Sequence, residues 1–298
     1  KDLSNCDIAL VGVPHSTGNG TTERDQHLGP RAVRNVSAAL RRVHLDFNIN
    51  PWNKKKIFDL GDVALPHANN NEKCIEDITN FYKKIAKKNK PVVSIGGDHS
   101  ITGGILQGLG FNNLEMTKGK KISFLHIDAH TDTFSQLDHF MGAKKSAAHW
   151  GAYLVEQNII DPKTSMQIGM RGNPRTLDWL QPSYDLGYNV VTMDEFKKRG
   201  IKDVIKETLD KIGDNPVYIT FDLDSLDASV APAVSNIEPS FTGFTIDEAK
   251  ALIQSVKNKN VIGGDVVCLM PTKDQKNNIT SLVAASIMFE IISVIAFK

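Results

Sequence analysis

Short, unbroken apolar runs recur along the chain, separated by polar loops and amphipathic stretches. Such runs, rich in β-branched residues, are typical of strands that are buried on both faces of a parallel sheet. The amphipathic stretches predict helices that cover the sheet, so the fold class is α/β with one doubly wound, mainly parallel sheet of about eight strands. The predicted strands are residues 8–13, 57–60, 92–95, 122–127, 165–170, 190–193, 217–221 and 261–267.

Several helices have their own signals. Residues 31–40 are predicted to be helical, and residues 75–86 place apolar side chains at helical spacing with lysines on the remaining positions. Thr245 and Glu248 match a capping box, which predicts that a helix begins there. The long apolar segment 279–297 is interrupted by Glu290 and by serines, and predicts a buried C-terminal helix rather than a membrane span.

Composition places few further limits on function. The 298 residues, 41% hydrophobic and 23% charged, are those of a globular protein, and we find no composition break within a single domain of residues 1–298. A net charge of +1 favours no nucleic acid and no membrane as partner. Three scattered cysteines predict a reducing, cytoplasmic location rather than a disulfide framework. The N-terminal residues predict a first strand rather than a signal peptide.

Candidate chemistry is concentrated where three predicted strands end. HIDAHTD, residues 126–132, alternates Asp128, His130 and Asp132, and alternate residues of an extended chain point to the same side. GGDHS at residues 96–100 and FDLDSLD at residues 221–227 follow two other strands. Parallel strands bring such ends to one edge of the sheet, where this many carboxylates would repel one another without cations.

Carboxylates and imidazoles together suit two borderline-hard divalent ions. Mn²⁺ fits such a ligand set best, and Ni²⁺ or Co²⁺ would also be accepted. Two ions about 3.5–4 Å apart can share a water and lower its pKa toward neutrality. The sequence therefore predicts hydrolysis, and the long polar loop at residues 14–30 is predicted to line the site.

The trio GGDHS, DAHTD and FDLDSLD, in this order, resembles the ureohydrolases, a family that includes arginase, agmatinase, guanidinobutyrase, proclavaminate amidinohydrolase and formimidoylglutamase. The similarity extends over almost the whole chain and is greatest to the agmatinase-like branch. It implies a three-layer α/β/α fold, a binuclear Mn²⁺ centre and a homo-oligomer, trimeric or hexameric. It also implies attack of hydroxide on the carbon of a small linear guanidine or amidine, which releases urea or an equivalent amide.

The resemblance also assigns site residues. It implies one metal held by His99, Asp128, Asp132 and Asp222. It implies a second metal held by Asp128, His130, Asp222 and Asp224. Asp132 is further expected to stabilise the tetrahedral intermediate, and Asp98 to support catalysis by positioning the neighbouring His99.

The chain departs from the family at Cys268, where a glutamate normally pairs with the guanidinium of the substrate. Loss of a buried ion-pair partner typically costs about 3–5 kcal/mol. Either another carboxylate compensates, with Glu23, Asp25 and Asp274 as candidates for substrate binding, or the substrate is not an ordinary guanidinium. The alternatives are a formimidoyl or other non-guanidine amide hydrolase, and a non-catalytic subunit. A nucleophilic Cys268 is disfavoured because no base lies near it in sequence.

Two further positions differ. Phe134 stands where arginases carry an asparagine that binds the α-amino acid end of the substrate, so arginine is not the expected substrate. Counting without gaps places Ala147 where the family keeps a proton-shuttle histidine. His149 is the first replacement and His139 the second. Trp150 either narrows the substrate pocket, which favours guanidine or a methylated guanidine, or packs beneath the helix.

Overall fold

The computed structural model describes residues 3–20, 23–110, 115–134, 139, 142–239 and 242–298. Eight strands form one sheet in the order β2-β1-β3-β8-β7-β4-β5-β6, and every neighbouring pair is parallel. The strands are β1 Ile8–Gly12, β2 Ile57–Asp62, β3 Val92–Ile95, β4 Ser123–Ile127, β5 Met166–Met170, β6 Asn189–Thr192, β7 Pro216–Asp222 and β8 Asn260–Val267. The predicted strands are confirmed, with ends that differ by one or two residues.

Helices connect the strands. They are α1 Gly29–Ser37, α2 Pro51–Lys54, α3 Asn71–Ala86, α4 Ser100–Leu109, α5 Trp150–Glu156, α6 Gln181–Leu186, α7 Met193–Arg199, α8 Ile201–Ile212, α9 Ile246–Ser255 and α10 Ile279–Ala296. The first helix begins and ends earlier than predicted. Its start includes Pro30, because a backbone N–H in the first turn has no partner within the helix and proline can therefore lie there. At the start of α9, Thr245 and Glu248 form both hydrogen bonds of the predicted capping box.

The two faces of the sheet are covered by different helices. Helices α1, α7, α8, α9 and α10 bury their apolar side chains on one face. Helices α3, α4 and α5 do so on the other. The three-layer α/β/α architecture is therefore confirmed, and its hydrophobic core lies in two slabs separated by the sheet.

Helix α10 is long and apolar enough to cross a membrane by length and composition, with a mean hydropathy of 2.1. It packs instead against α1, α9 and β8, and 67% of it is buried. Its one acidic residue, Glu290, lies 2.9 Å from His44 Nε2 and accepts a hydrogen bond from Gln254. Because a helix that is apolar all round is typical of a protein core, the prediction of a buried helix is confirmed.

Strand order explains where the site forms. The last two strands, β7 and β8, lie between β3 and β4, so four neighbouring strands end at one edge in the order β3, β8, β7, β4. Asp222 is in register with Val267, and Phe221 with Ile127. The residues that follow β3, β4 and β7 therefore meet at the carboxyl edge, which is where doubly wound sheets bind their ligands.

Candidate metal centre

In two of the motifs, an aspartate side chain makes the same local hydrogen bond to the backbone. Beyond β4, Asp128 Oδ1 accepts a hydrogen bond of 2.7 Å from the backbone N–H of His130. At the end of β7, Asp222 Oδ1 accepts one of 2.9 Å from the N–H of Asp224. In each case an aspartate side chain closes a turn on the backbone two residues ahead. One oxygen of each aspartate is fixed in this way, which leaves the other facing its neighbours.

His99 occupies the centre of the first group. Its Nδ1 lies 2.9 Å from Asp128 Oδ2, 2.9 Å from Asp132 Oδ2 and 3.3 Å from Asp222 Oδ2. All four side chains are at least nine-tenths buried. An imidazole nitrogen carries at most one hydrogen, so it cannot satisfy three carboxylate oxygens at once. A cation among these oxygens resolves the shortage of donors.

A chain of hydrogen bonds sets the tautomer of His99. Its Nε2 lies 2.8 Å from Thr220 Oγ1, and the Thr220 hydroxyl donates to Asp265 Oδ1 at 2.7 Å. The Thr220 oxygen must therefore accept from the Nε2–H of His99, so Nδ1 is the nitrogen that faces the carboxylates and the one that would ligate a metal ion. Orientation of a ligating histidine by a further polar residue is typical of metal sites. Thr220 and Asp265 were not predicted as site residues; the signal that could have indicated them is a polar residue inside each of two strands predicted to be buried.

His130 belongs to a second group. Its Nδ1 lies 3.2 Å from Asp224 Oδ2 and 3.5 Å from Asp128 Oδ1, while its Nε2 lies 3.2 Å from Glu238 Oε1. His130 thus repeats the arrangement of His99, with one nitrogen toward the aspartates and the other toward a hydrogen-bond acceptor. Asp128 takes part in both groups, as the bridging role implied by the resemblance requires.

The electrostatics of the cluster favour cations. Burial raises the pKa of the Asp224 carboxyl well above its usual range, and the charge of Asp222 raises it further. Burial opposes protonation of His99 and His130, yet the charges of Asp132 and Asp224 raise their pKa values well above the ordinary value. Protons thus take up negative charge that the cluster holds in excess. Divalent ions would neutralise it better, so these residues fit a two-metal centre.

A cavity of about 590 Å³ opens above the cluster. His130, Thr131 and Asp132 form part of its floor, and Phe134, His139 and Ala147 part of its wall. The loop after β1 contributes Asn19, Gly20 and Glu23, so the predicted site-lining role of that loop is confirmed. The volume is within the range of pockets that bind small molecules.

Comparison with known proteins identifies the family, because the model described as the arginase family matches residues 6–293. The chain belongs to the arginase family. It is 32% identical over 286 residues to the mitochondrial guanidino acid hydrolase of Homo sapiens, covering 96% of this chain and 77% of that protein. It is 30% identical to guanidinopropionase of Pseudomonas aeruginosa, covering 97% and 86%. Among solved structures, proclavaminate amidino hydrolase from Streptomyces clavuligerus superimposes with a TM-score of 0.87 at 27% identity, covering 98% and 92%.

Two residues that the sequence analysis assigned to the arginase-family active site lie elsewhere. The imidazole of His149 is turned toward the backbone, with Nδ1 2.9 Å from the carbonyl oxygen of Lys144 and its edge against Tyr153. It does not line the cavity within the described residues, whereas the second choice, His139, does, with its ring 3.3 Å from the position a Cβ would take at Gly20. Of these two histidines, His139 therefore lies at the cavity and His149 does not.

Trp150 does not line the substrate cavity. It is fully buried, packs against the rings of His99 and His126, and donates a 2.8 Å hydrogen bond from Nε1 to Asp132 Oδ2. The packing alternative is therefore the correct one. Trp150 also holds Asp132 in place, which the sequence alone did not indicate. His126 supports the cluster as well, with Nε2 2.7 Å from Asp128 Oδ2.

The hydrogen bonds of Asp98 are made to the residue that follows His99 and to the loop after β1. Its Oδ1 accepts hydrogen bonds from the backbone N–H and the hydroxyl of Ser100, and its Oδ2 accepts one of 2.8 Å from the N–H of Gly18. These hydrogen bonds fix the loop after β1 to the start of α4, directly beside His99. Arg171, also missed, donates to the carbonyl oxygens of residues 224, 225 and 226 and so holds the loop after β7.

Asp274 and Cys268 likewise lie outside the cavity. Both oxygens of Asp274 accept backbone hydrogen bonds from the first turn of α10, Oδ1 from Thr280 and Oδ2 from Ser281, so this carboxylate stabilises the helix start. The Cys268 side chain is buried beside Asp222, and burial raises the pKa of its thiol well above the ordinary value. Neither side chain is available to a substrate in the cavity.

Proposed function

We propose that this protein is a binuclear metal-dependent hydrolase of the C–N bond in a linear guanidine or amidine, which releases urea or an equivalent amide. The observation that carries the proposal is the pair of histidines, His99 and His130, each with Nδ1 directed at converging aspartates beneath a cavity. Relatives named guanidino acid hydrolase and guanidinopropionase support the same substrate class.

The ligands of the first ion would be His99, Asp128, Asp132 and Asp222. Those of the second would be Asp128, His130, Asp222 and Asp224. When bound, two such ions supply a water of lowered pKa and stabilise negative charge at the reacting carbon. Oxygen atoms outnumber nitrogen atoms in both sets, and thiols are absent from them, so we assign Mn²⁺ in preference to softer metals.

The remaining steps belong to side chains of this chain. Asp132, held by Trp150, is oriented to accept hydrogen bonds from the substrate nitrogen atoms at the floor of the cavity. His139, which lines the cavity, would deliver a proton to the leaving nitrogen, a contribution typically worth about 10²–10⁴-fold in rate. The apolar ring of Phe134 offers no hydrogen bond to an α-amino acid, so arginine should be a poor substrate.

Arg175 also lines the cavity, and it forms no ion pair with a carboxylate of the described residues. A guanidinium at this place would bind the carboxylate of a substrate through paired N–H donors. Guanidino acids are therefore expected to be better substrates than agmatine, whose free end is cationic.

The test is urea release by the protein after chelation and reloading with Mn²⁺, Ni²⁺ or Co²⁺. The panel is guanidine, methylguanidine, 3-guanidinopropionate, 4-guanidinobutyrate, agmatine and arginine. We expect metal-dependent urea from at least one linear guanidine and least from arginine. Absence of urea with every metal, despite a metal content near two per chain, would contradict the proposal and favour the non-catalytic subunit.

Three accompanying proposals concern the whole molecule. We infer a single domain over residues 1–298, a homo-oligomer such as a trimer or hexamer, and a cytoplasmic location, the last because Cys6, Cys74 and Cys268 are all free. Light scattering of the purified protein tests the assembly, and a monomer at micromolar concentration would contradict it.

A further inference from the structure

Cys268 stands where the family carries a glutamate, so another group must bind the positive charge of the substrate. The inference about that group rests on the proposed guanidine hydrolysis. Cys268 cannot bind that charge, because its side chain is buried and does not line the cavity. A guanidinium needs an anionic partner near the floor of the cavity, since an unpaired cation is costly in a poorly solvated site.

The carboxylates named from the sequence are engaged elsewhere. Glu23 lines the cavity but forms a salt bridge with Lys273, which neutralises it. Asp25 accepts hydrogen bonds from Thr272. Asp274 caps α10. These three are therefore poor partners for a substrate cation.

Glu238, in the loop between β7 and α9, has the properties that the others lack. Its side chain lines the cavity and is 19% exposed. Oε1 lies 3.2 Å from His130 Nε2, and no Lys or Arg of the described residues forms a salt bridge with the carboxylate. Oε2 has no hydrogen-bond partner among the contacts of the described protein, so it is available to a ligand. The carboxylate is thus adjacent to a metal ligand and open to the cavity.

Gly172 provides the space for this carboxylate. A Cβ at Gly172 would lie 2.6 Å from both Cδ and Oε2 of Glu238, closer than carbon and oxygen atoms approach. Gly172 also has φ of +106°, a conformation that side chains rarely adopt. Gly172, in the loop after β5, thus leaves room for the carboxylate of Glu238, which the loop after β7 brings to the cavity.

We propose that Glu238 binds the reacting guanidinium or amidinium of the substrate, in place of the glutamate that the family carries at the position of Cys268. Oε2 accepts hydrogen bonds from the substrate N–H groups, while Oε1 stays with His130. Glu238 is then a specificity-determining residue that selects cationic substrates. The rival role is that Glu238 only orients His130, and the two roles differ in what Glu238→Gln changes.

The experiment compares Glu238→Gln with the wild type, both loaded with Mn²⁺. Gln keeps the size of the side chain and an oxygen for His130, but removes the charge. We expect KM to rise about 10- to 100-fold, as for the loss of a hydrogen-bonded charge, with metal content and metal affinity within about threefold of the wild type. The dissociation constant of an unreactive guanidinium compound, measured by calorimetry, should rise by the same factor as KM.

Substrates without a tail make the assignment specific. Methylguanidine, as substrate or as competitive inhibitor, should lose affinity as much as a guanidino acid does, because Glu238 contacts the reacting group. A loss confined to agmatine would place Glu238 at the substrate tail and overturn the proposal. A fall in metal affinity with unchanged KM would also overturn it and leave Glu238 a positioning residue for His130.

Two further variants complete the design. Glu23→Gln removes the other carboxylate of the cavity, and a larger rise in KM for Glu23→Gln than for Glu238→Gln would overturn the proposal. Glu290→Gln removes the carboxylate paired with His44, away from the cavity. It is the control for the effect of removing a charged partner from a histidine that does not lie at the site. If the wild type releases no urea at all, the proposed function fails, and guanidinium binding by calorimetry still decides the role of Glu238.

Discussion

The floor and the wall of the cavity are built by different parts of the chain. The floor lies at the ends of β3, β4 and β7, where His99, Asp128 and Asp222 are almost fully buried and each has fixed partners. The wall comes from the loops after β1, β4, β5 and β7, which carry Phe134, His139 and Glu238. Residues at the strand ends thus govern the reaction, and residues in the loops govern the choice of substrate. The reaction and the substrate can therefore change separately.

The largest expected effect is on the floor. Asp222→Asn removes a charge from the ligand set that serves both ions, so metal content should fall and kcat should drop at least about 1,000-fold, roughly 4 kcal/mol. Atomic absorption and urea release measure the two. A variant that kept two ions per chain and most of its rate would show that Asp222 is not a ligand and would break the distinction between floor and wall.

The next effect concerns the wall. His139→Asn should lower kcat about 100-fold, because a proton donor for the leaving nitrogen is lost, while metal content stays unchanged. His149→Asn is the matched control, since its imidazole is turned toward the Lys144 carbonyl, and its kcat should change little. The pH profile of kcat gives an independent readout. Reversal of the two results would restore His149 as the shuttle.

A smaller effect is expected beneath the floor. Trp150→Phe keeps an aromatic ring against His99 but removes the N–H donor to Asp132. We expect metal affinity to fall about tenfold, since residues that orient ligands typically contribute 10- to 100-fold, with KM little changed. Competition with a fluorescent chelator measures the affinity. A rise in KM with unaltered metal affinity would instead place Trp150 in the wall.

The smallest effect is expected at Cys268. Because the thiol is buried and protonated, Cys268→Ser should change kcat/KM by less than about threefold, roughly 0.6 kcal/mol. Thiol-alkylating reagents should likewise leave the native enzyme active. Inactivation by such a reagent, protected by substrate, would return Cys268 to the active site.

The sequence predicted the floor better than the wall, for a physical reason. Asp128, His130 and Asp132 follow directly on β4, so the end of a buried strand was enough to place them at the cluster, although Asp128 closes a turn there and Asp132 has a φ of +52° instead of continuing an extended alternation. Thr220 was missed because a β-branched residue in a strand is ordinary. The gap-free count placed Ala147, which does line the cavity, but the choice of His149 as the nearest histidine did not account for the direction in which its side chain is turned. The sequence did not indicate that Glu238 lies at the cavity, because Glu238 is in a loop whose path the strand pattern does not fix.

The strand order carries a consequence for how the molecule is synthesised. His99 and Asp128 emerge early, but they are separated in the sheet by β7 and β8, which are made more than 80 residues after β4, by the element bounds. An unfinished chain therefore has no neighbour for Asp128 on the side of β3, and pairings this distant in sequence form slowly. The centre should be able to take up its ions only near the end of translation. Late assembly of the centre would protect the unfinished protein from binding the wrong metal. A chain truncated before β8 is therefore expected to bind no Mn²⁺ in equilibrium dialysis.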